Sequence, residues 1–381
     1  MDCSLEILSP THIGNGNKLN NWNYSYDEKQ KILKVYDFDK VVQSLKDDKQ
    51  RLSQLISSIK RNPHYQDLTN FLKQDIKPLY TLNVSGSLKR RGKDGNLEFK
   101  EVWEFIKVNS NPYIPGSEIK GAIRTAILYH MLKNNESLKQ ELLKGLKKLF
   151  EDLKKLQDET QREKEKKKLK SRAQKILEEL ENKVFSDGSK DGKKDFMRFI
   201  SVSDTKPKNP EEALYVCDIK IINTSRSFFD PHELLKVGQK FEFRLDILWD
   251  DLYRNYIVKD FNFKSFKDIQ AVCNEFANDL INHEIEFFSE NVYGKEKVDI
   301  KKVVDFYKGL KEKSKNGFLL RLGKHQGFLS LTVNLIVKHS DENLFKSIYP
   351  LLVHRGYGNN PAKSRKLTFN DEPLGWVLVS Y

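Results

Sequence analysis

The stretch that most constrains the fold is residues 113–132, YIPGSEIKGAIRTAILYHML, because it combines a turn, a helix start and a cationic face. Pro115 and Gly116 are typical of a turn, and the Ser117 hydroxyl can accept a hydrogen bond from an unpaired amide at a helix start. We therefore predict a helix that begins at Glu118. Its apolar face toward the core comprises Ile119, Ala122, Ile123, Ala126, Ile127 and Met131.

Two cations, Lys120 and Arg124, lie one turn apart on another face of this helix. A cation in the first turn opposes the helix dipole unless an anion is shared with the free backbone amides, so Lys120 points to a bound phosphate. Gly121 costs about 1 kcal/mol relative to Ala inside a helix, so we expect another backbone or a ligand close to it. An ordinary amphipathic helix with a solvated Lys and Arg is the alternative, and the sequence leaves both open.

The excess of basic residues narrows the class of partner. The 381 residues include 67 Lys and Arg against 54 Asp and Glu, a formal net charge of +13. This balance favours a polyanion such as nucleic acid over an acidic small molecule. A surface that is basic only for solubility is the alternative. With 38% hydrophobic residues, the chain is long enough for two domains with cores.

Residue patterns that hold metals and cofactors are missing from the sequence. The three cysteines have no CxxC spacing, which argues against a disulfide framework and a zinc site, and the GNG triplet lacks the GxGxxG frame of a nucleotide loop. We therefore expect neither a metal nor a cofactor. No signal peptide opens the chain and no apolar run approaches the length of a membrane span, so we expect a cytoplasmic protein that does not bind membranes.

Helical and alternating patterns mix along the chain, which predicts the α+β class. We divide the chain into an N-terminal domain at 1–250 and a C-terminal domain at 251–381. Strands are expected at 3–8, in a hairpin over 22–39, and at 79–87, 97–108, 196–205, 215–223, 240–249 and 374–381. Helices are expected within 39–61 and at 269–289 and 301–313.

A charged segment interrupts the first of these domains. More than half of residues 134–183 are charged, and the apolar positions form only a narrow stripe. We predict a long solvated helical hairpin that packs lightly on the domain, within an insertion of about 134–194 that ends in a loop. The stripe comprises Leu138, Leu142, Leu146, Leu149, Leu153 and Leu156.

The first candidate loop is residues 9–17, SPTHIGNGN, where Gly14 and Gly16 indicate an exposed flexible turn. His12 has a ring that can stack on a base, and an imidazole can also act as a general acid or base. A lone His at a strand end is more often a hydrogen-bonded surface residue. We therefore keep His12, Gly14 and Gly16 as candidate nucleic-acid contacts.

Two further segments combine glycines with cations. The first is a basic hairpin tip at 88–96, where Arg90 and Arg91, beside Lys89 and Lys93, are candidate contacts for a phosphate backbone. The second is the glycine-bearing stretch 317–332, within NGFLLRLGKHQGFLSLTV at 316–333, a second candidate for phosphate contact. Solvated basic loops and glycine-bearing hairpins are common, so each pattern is weak by itself. The candidates in the second segment are Arg321, Gly323, Lys324, His325 and Gly327, and Gln326 lies between the last two.

Taken together, SPTHIGNG, YIPGSEIKGAIRTAIL, FMRFISVSDT and RLGKHQGFLSLTV resemble the RAMP superfamily of CRISPR proteins, in order and spacing, across nearly the whole chain. The first two motifs are most similar to the RAMP subunit that caps the Csm ribonucleoprotein of type III-A systems. The motifs are specific jointly rather than singly. The resemblance implies tandem ferredoxin-like, RRM-type domains whose sheets support RNA-binding loops.

The resemblance also implies which residues meet RNA. Ser117, Lys120 and Arg124 match the family's RNA-facing helix start. Gly323, Lys324 and Gly327 match the glycine-rich loop that contacts the guide RNA. This chain departs from many relatives by having Lys324, His325 and Gln326 where they have more glycine.

The function implied by the resemblance is that of a non-catalytic RNA-binding subunit that caps the 3′ side of the guide RNA (crRNA). Its partners would be the crRNA, the backbone RAMP subunits of the Csm complex and nucleases that trim the guide. The alternative is a metal-independent endonuclease that processes CRISPR RNA, in which His12 or His130 acts with a nearby Tyr. A pure interaction scaffold explains the charged insertion but not the phosphate-contact motifs.

Overall fold

A computed structural model of the chain describes residues 1–61, 68–92, 95–155, 159–186, 188–223, 229–248, 263, 265–290, 292, 297–352 and 364–381. Lys93 and the predicted domain boundary near residue 250 lie outside these residues. No helix in the described ranges is long and apolar enough to cross a membrane.

The strands of the described part are numbered in chain order. They are β1 (Asp2–Ile7), β2 (Gly14–Leu19), β3 (Tyr24–Asp27), β4 (Ile32–Val35), β5 (Tyr80–Ser85), β6 (Lys89–Arg91), β7 (Leu97–Phe99), β8 (Val102–Phe105), β9 (Lys107–Val108), β10 (Asn111–Pro112), β11 (Ile200–Val202), β12 (Leu214–Ile222), β13 (Phe229–Leu235), β14 (Lys240–Ile247), β15 (Phe318–Arg321), β16 (Arg365–Thr368) and β17 (Trp376–Ser380).

The helices follow the same numbering. They are α1 (Phe38–Ser44), α2 (Lys49–Arg61), α3 (Gly116–Asn134), α4 (Glu136–Lys154), α5 (Glu159–Ser186), α6 (Pro210–Ala213), α7 (Phe266–Glu290), α8 (Ile300–Lys313), α9 (Asn334–Ser340) and α10 (Glu342–Leu352).

Two sheets organise the described residues, and each takes strands from both ends of the chain. The first is antiparallel, in the order β11-β14-β1-β17-β15. The second runs β2-β8-β13-β12-β5-β4-β3, and β16 also pairs with β12. Helices and sheets are thus mixed in the way the α+β prediction required, and that prediction is confirmed.

The apolar stripe of α3 packs as predicted. Ile119, Ile123, Ala126 and Ile127 are buried in the main core, and Ala122 and Met131 pack against it half-buried. That core joins both sheets to the long helices. A second, smaller core lies under α1 and α2, the two helices expected within 39–61.

The charged hairpin α4–α5 packs more tightly than the sequence predicts. Leu142, Leu146 and Leu149 of α4 are buried together with Leu180 and Phe185 of α5, and all five belong to the main core. The expectation of light packing is wrong because α5 adds a second apolar face that the narrow stripe on α4 does not reveal. Only the outer faces of the two helices are solvated.

The segment 9–17 also differs from its prediction. Residues 9–13 are buried rather than exposed, and residues from Gly14 onward form β2, which pairs with β8. The prediction of a flexible turn over residues 9–17 is therefore wrong. The cause is hydrogen bonding to distant strands. The Leu8 and Ser9 amides donate to the Trp376 carbonyl, and the Thr11 carbonyl accepts from the Leu235 amide in an isolated β-bridge. The segment is therefore bonded to both sheets.

Candidate nucleic-acid interface

The glycine-rich loop, defined here as residues 322–327, follows β15 and is fixed against the segment that precedes β2. Gly323 has a φ of +79°, and a Cβ at this position would lie 2.3 Å from the carbonyl oxygen of His12. The Lys324 amide donates to that same oxygen at 2.8 Å. Only glycine permits this approach, because it has no Cβ and tolerates positive φ. The structure thus brings together two segments that the sequence treats as separate candidates.

Behind this loop a chain of hydrogen bonds joins three side chains, which we call the histidine chain. Lys366 Nζ donates to His325 Nδ1 at 2.9 Å, and His325 Nε2 pairs with His232 Nε2 at 2.8 Å. His232 Nδ1 lies 2.8 Å from the carbonyl oxygen of Asp230. An ammonium can only donate and a carbonyl can only accept, so the protons run in one direction, with both imidazoles neutral.

His12 lies beside this chain, with its ring centroid 4.8 Å from that of His232. It is buried, with 1% of its surface exposed, and its Nδ1 donates to the Glu233 carbonyl at 2.8 Å. Within the described residues, His12 Nε2 has no hydrogen-bond partner. A Cβ on Gly14 would lie 2.8 Å from that nitrogen, so Gly14 is needed to seat the ring. His12 is therefore part of the core rather than a surface residue.

The electrostatics keep these histidines uncharged. Burial lowers the pKa of His12 to about 4, and Lys324 and Lys107 add to the effect. Burial, followed by the neighbouring cations and imidazoles, also holds the pKa values of His232 and His325 far below their ordinary value. Neutral, buried rings offer a phosphate no positive charge. They hold the loop in place instead.

The surface in front of the loop is different, and we call Lys18, Trp103 and Lys324 the Trp103 platform. Lys324 Nζ lies 3.4 Å from the centroid of the Trp103 ring, and Lys18 Nζ lies 4.6 Å from it. Both lysines are exposed and the indole is half-buried. Lys18 also pairs with the exposed Glu101 at 2.7 Å, whereas no described carboxylate lies within ion-pair distance of Lys324. An aromatic face between two cations suits a base and its phosphates.

A buried carboxylate, Glu233, joins the strands near the platform. Glu233 is fully buried, and its oxygens accept from Tyr80 Oη at 2.9 Å, the Phe105 amide at 2.7 Å and Lys107 Nζ at 2.6 Å. It therefore joins β5, β8 and β13 at the site. Burial and the Glu233 charge raise the pKa of Tyr80, so this phenol stays protonated and donates.

Arg321 and Gly327 have different positions in the same loop region. Arg321 is buried, and it donates to the Leu374 carbonyl at 3.0 Å and to Ser330 Oγ at 3.1 Å. Through these bonds the guanidinium holds β15 to the segments around Ser330 and Leu374. Gly327 has a φ of +89° and open space around it, so its backbone is accessible to a ligand.

The predicted anion site at the start of α3 is occupied by the protein itself. The helix begins at Gly116 with Pro115 as N-cap, and Ser117 is exposed, so the prediction of a Ser117 cap is wrong. Asp204 Oδ1 accepts from the Gly116 amide at 2.7 Å, and thus supplies the negative charge expected from a phosphate. Asp204 belongs to the FMRFISVSDT motif, which explains what that motif does at this point.

Close backbone contact occurs in this helix at Gly116 rather than Gly121. A Cβ on Gly116 would lie 2.4 Å from the Val202 carbonyl oxygen, whereas a Cβ on Gly121 would meet nothing within 4 Å. The expectation of a second backbone beside Gly121 is wrong. Space for a ligand remains there.

The two predicted cations of α3 also differ from each other. Arg124 donates to both oxygens of Asp195, at 3.1 and 2.8 Å, and its guanidinium lies 3.9 Å from the centroid of Phe185. It therefore fastens α5 and the following turn to α3. Lys120 is half-buried, which lowers its pKa, and it has no ion pair among the described residues. Of the pair, Lys120 is the cation that remains available to a phosphate.

The basic hairpin tip is a short two-stranded ribbon, β6–β7. Lys89 pairs with Glu28 at 2.9 Å and Arg90 with Glu98 at 3.0 Å. Arg91 is exposed on the same ribbon. Its role in RNA binding stays a prediction.

Sequence reasoning missed Trp103, His232, Lys18 and Lys366. Lys18 lies in the non-alternating strand GNGNKL, and it meets Trp103 only through the pairing of β2 with β8, so the sequence contains no signal for this contact. His232 had none, because Pro231 and two acidic residues hide β13. His130, the other candidate catalytic His, has its Nδ1 bound to Glu275 Oε2 at the α3–α7 contact. In the described part of the chain, no group of His, Cys, Asp and Glu is arranged to hold a metal.

Comparison with protein families decides the relationship. The family model described as the RAMP superfamily matches residues 4–328. The chain belongs to the RAMP superfamily. The match contains the start of α3 and the whole glycine-rich loop.

Individual relatives agree with the family. The chain is 27% identical to the CRISPR system Cms protein Csm5 of Methanocaldococcus jannaschii, over 100% of this chain and 88% of that protein. It is 29% identical to Csm5 of Streptococcus thermophilus over 143 residues, 35% of this chain and 40% of the other.

Solved structures share the fold of this RAMP protein. A chain of a Csm–crRNA–target RNA ternary complex of a type III-A CRISPR-Cas system superposes with a TM-score of 0.73 at 23% identity, with all of both chains covered. The crystal structure of T. onnurineus Csm5 gives a TM-score of 0.66 at 23% identity, over 98% of this chain and 99% of that one. The recurrence of the fold over the full length confirms the fold-class prediction.

Proposed function

We propose that this RAMP protein is a non-catalytic, RNA-binding subunit of a type III-A Csm effector complex. The observation that carries the proposal is the Trp103 platform, because Lys324 presents a cation at a half-buried indole with no described carboxylate within ion-pair distance. Full-length similarity to Csm5 proteins supplies the biological setting. The subunit would bind the crRNA and take part in antiviral RNA targeting in the cytoplasm.

The contacts favour the phosphate backbone and stacking over base-specific reading. Lys18 and Lys324 are point charges with three donors each, and neither provides the planar pair of hydrogen bonds that identifies a base. Trp103 can stack on any base. Binding is therefore expected to be independent of sequence and sensitive to salt, as suits a subunit that holds many different guides.

A nuclease role is disfavoured by the histidines themselves. A general base must reach the proton that it abstracts, and His12 is buried with its Nδ1 donated to Glu233. His130 is held by Glu275, and the neighbouring Tyr129 donates to Asp279. Among the residues that the structure describes, neither His has a Tyr hydroxyl or Lys ammonium hydrogen-bonded to it, as the endonuclease alternative would require.

We place the subunit at the 3′ side of the guide, next to the backbone RAMP subunits, and include nucleases that trim the guide among its partners. The packed hairpin α4–α5 supports a terminal position, since it fills one flank of the domain with solvated charge that a further copy would have to displace. Native mass spectrometry of a reconstituted complex tests this position, and two or more copies per guide would contradict it.

The direct test is RNA binding by the purified chain across a salt series. Replacing Lys18 and Lys324 together by Ala is expected to lower affinity on the order of tenfold and to reduce the salt slope by about 0.7 for each lost phosphate contact. The control replaces Lys301 and Lys308, two exposed lysines of α8, by Ala. Equal losses in both variants would show a diffuse charge effect and contradict the platform. The same RNA is inspected on a denaturing gel, and cleavage that His12→Ala abolishes would establish the endonuclease instead.

A further inference from the structure

A cavity of about 320 Å³ opens beside the glycine-rich loop and is distinct from the Trp103 platform. Its walls come from residues 324–331, from Tyr349 of α10, from β16 and from Glu284 of α7. Lys324 borders both the cavity and the platform. A chain that crosses the platform thus meets the cavity entrance directly beyond Lys324.

The residues that line the cavity carry an excess of positive charge. Lys324, Arg365 and Lys366 stand against one carboxylate, Glu284, which pairs with Arg365 at 2.7 Å. Lys366 is half-buried and donates a hydrogen bond to His325. Burial lowers the pKa of Lys324 and Lys366, and the Asp230 carboxylate offsets part of this effect, although it forms no ion pair with either lysine. A partly buried cation gains free energy when an anion joins it.

The opposite wall is aromatic and apolar. Phe328 and Tyr349 pack edge to face with centroids 5.4 Å apart, and both rings are partly accessible. Leu331 extends the wall to the rim with 59% of its surface exposed. Such a wall gains free energy by covering an apolar or aromatic ligand.

We propose that this cavity binds one unstacked nucleotide of single-stranded RNA, with the base against Phe328 and Tyr349 and the phosphate near Lys324 and Lys366. The volume lies at the lower end of the range for small-ligand sites, which suits a single nucleotide. An acidic peptide would satisfy the lysines but would leave the aromatic wall without a planar partner. The inference rests on the proposed function, because it assumes that RNA follows the platform to Lys324.

The experiment uses the full chain and a short uridine-rich single-stranded RNA. Phe328→Ala removes the stacking wall and is expected to weaken binding about tenfold, within the range for loss of one base–aromatic stack. Leu331→Asp adds a negative charge at the exposed rim, where folding is not at stake, and is expected to weaken binding as well. Phe369→Ala and Val237→Asp are the matched controls, since Phe369 is 50% and Val237 53% exposed away from the cavity.

A second readout locates the nucleotide. RNA containing 4-thiouridine is cross-linked to the wild-type chain, and the proposal expects a cross-linked peptide that contains Phe328 or Tyr349. If the cavity variants bind RNA like their controls and no such peptide appears, the cavity does not bind a nucleotide, while a loss in the Lys18 and Lys324 variant leaves the proposed function standing. Absence of RNA binding by the wild-type chain would instead overturn both. Competition by an acidic peptide without loss in Phe328→Ala would contradict the nucleotide and favour a protein ligand.

Discussion

The start of α3 and the glycine-rich loop share a sequence pattern, a glycine with a cation nearby. In the structure, the glycine of each, Gly116 or Gly323, lies close to another backbone. They differ in what Arg124 and Lys324 meet, although Lys120 at the helix start also has no ion pair among the described residues. At the helix start, Arg124 is paired with Asp195 and the first amide with Asp204. At the loop, Lys324 lies over Trp103 with no carboxylate beside it among the described residues. Carboxylates from distant parts of the chain, which no local motif reveals, decide whether a cation builds the fold or is free for a ligand.

The largest expected effect tests whether the helix start is fixed by the protein itself. Gly116→Ala places a Cβ 2.4 Å from a carbonyl oxygen, so we expect the free energy of unfolding to fall by about 3 kcal/mol, the upper part of the usual range for overpacking. Gly121→Ala, in open space on the same helix, is expected to raise it by about 0.5–1 kcal/mol. Urea titration measures both. Equal stabilities would mean that α3 is not held against β11 as described.

A smaller loss of stability distinguishes Arg124, which pairs within the protein, from Lys324, which has no described ion pair. Arg124→Gln loses an ion pair that is about two-thirds buried and a contact with Phe185, so we expect a loss of about 1–2 kcal/mol in unfolding free energy. RNA affinity per folded molecule should be unchanged. Lys324→Ala should show the reverse, with weaker RNA binding and an unchanged melting temperature. If Arg124→Gln weakened RNA binding more than Lys324→Ala, the contrast between the regions would be wrong.

An effect that is smallest near neutral pH and grows as the pH falls concerns the histidines behind the loop. The pKa of His12 is about 4 in the folded state, below its unfolded value, so the unfolded state takes up a proton first as the pH falls. The contribution of His12 to the free energy of unfolding is therefore complete above about pH 6.5. It is lost as the pH falls from there to about 4, by up to about 1.4 kcal/mol per pH unit. His12→Asn keeps a donor for the Glu233 carbonyl but cannot titrate, so its denaturation midpoint should fall less steeply. An unchanged slope would show that His12 does not titrate in this way.

The parts of the fold that the sequence predicted are those with a local period. The stripe of α3, the 22–39 hairpin and the alternating strand at 240–249 each show their buried face in the order of the residues. β13 could not be found in this way, because His232 and Glu233 are buried for their hydrogen bonds rather than for apolar surface, and Pro231 between Asp230 and His232 is untypical of a strand. α9 and α10 were missed because the glycine-rich stretch before them resembles a continuing loop.

The candidate site was only half predictable for the same reason. Glycine and cation positions in 321–327 could be identified from the sequence. Their partners His12, His232 and Trp103 come from three other segments, and only pairing of β2, β8 and β13 brings them together. Long-range contacts of this kind leave no periodic trace in a single sequence.

The position of β17 has a consequence for how the protein is made. β17 lies between β1 and β15, and it pairs residues 4–7 with residues 377–380. β1 leaves the ribosome long before β17, so one of its edges stays unpaired while the intervening residues are made. An unpaired edge invites pairing with other chains, and such distant pairing makes folding slow. We therefore expect the nascent protein to be prone to aggregation during that interval.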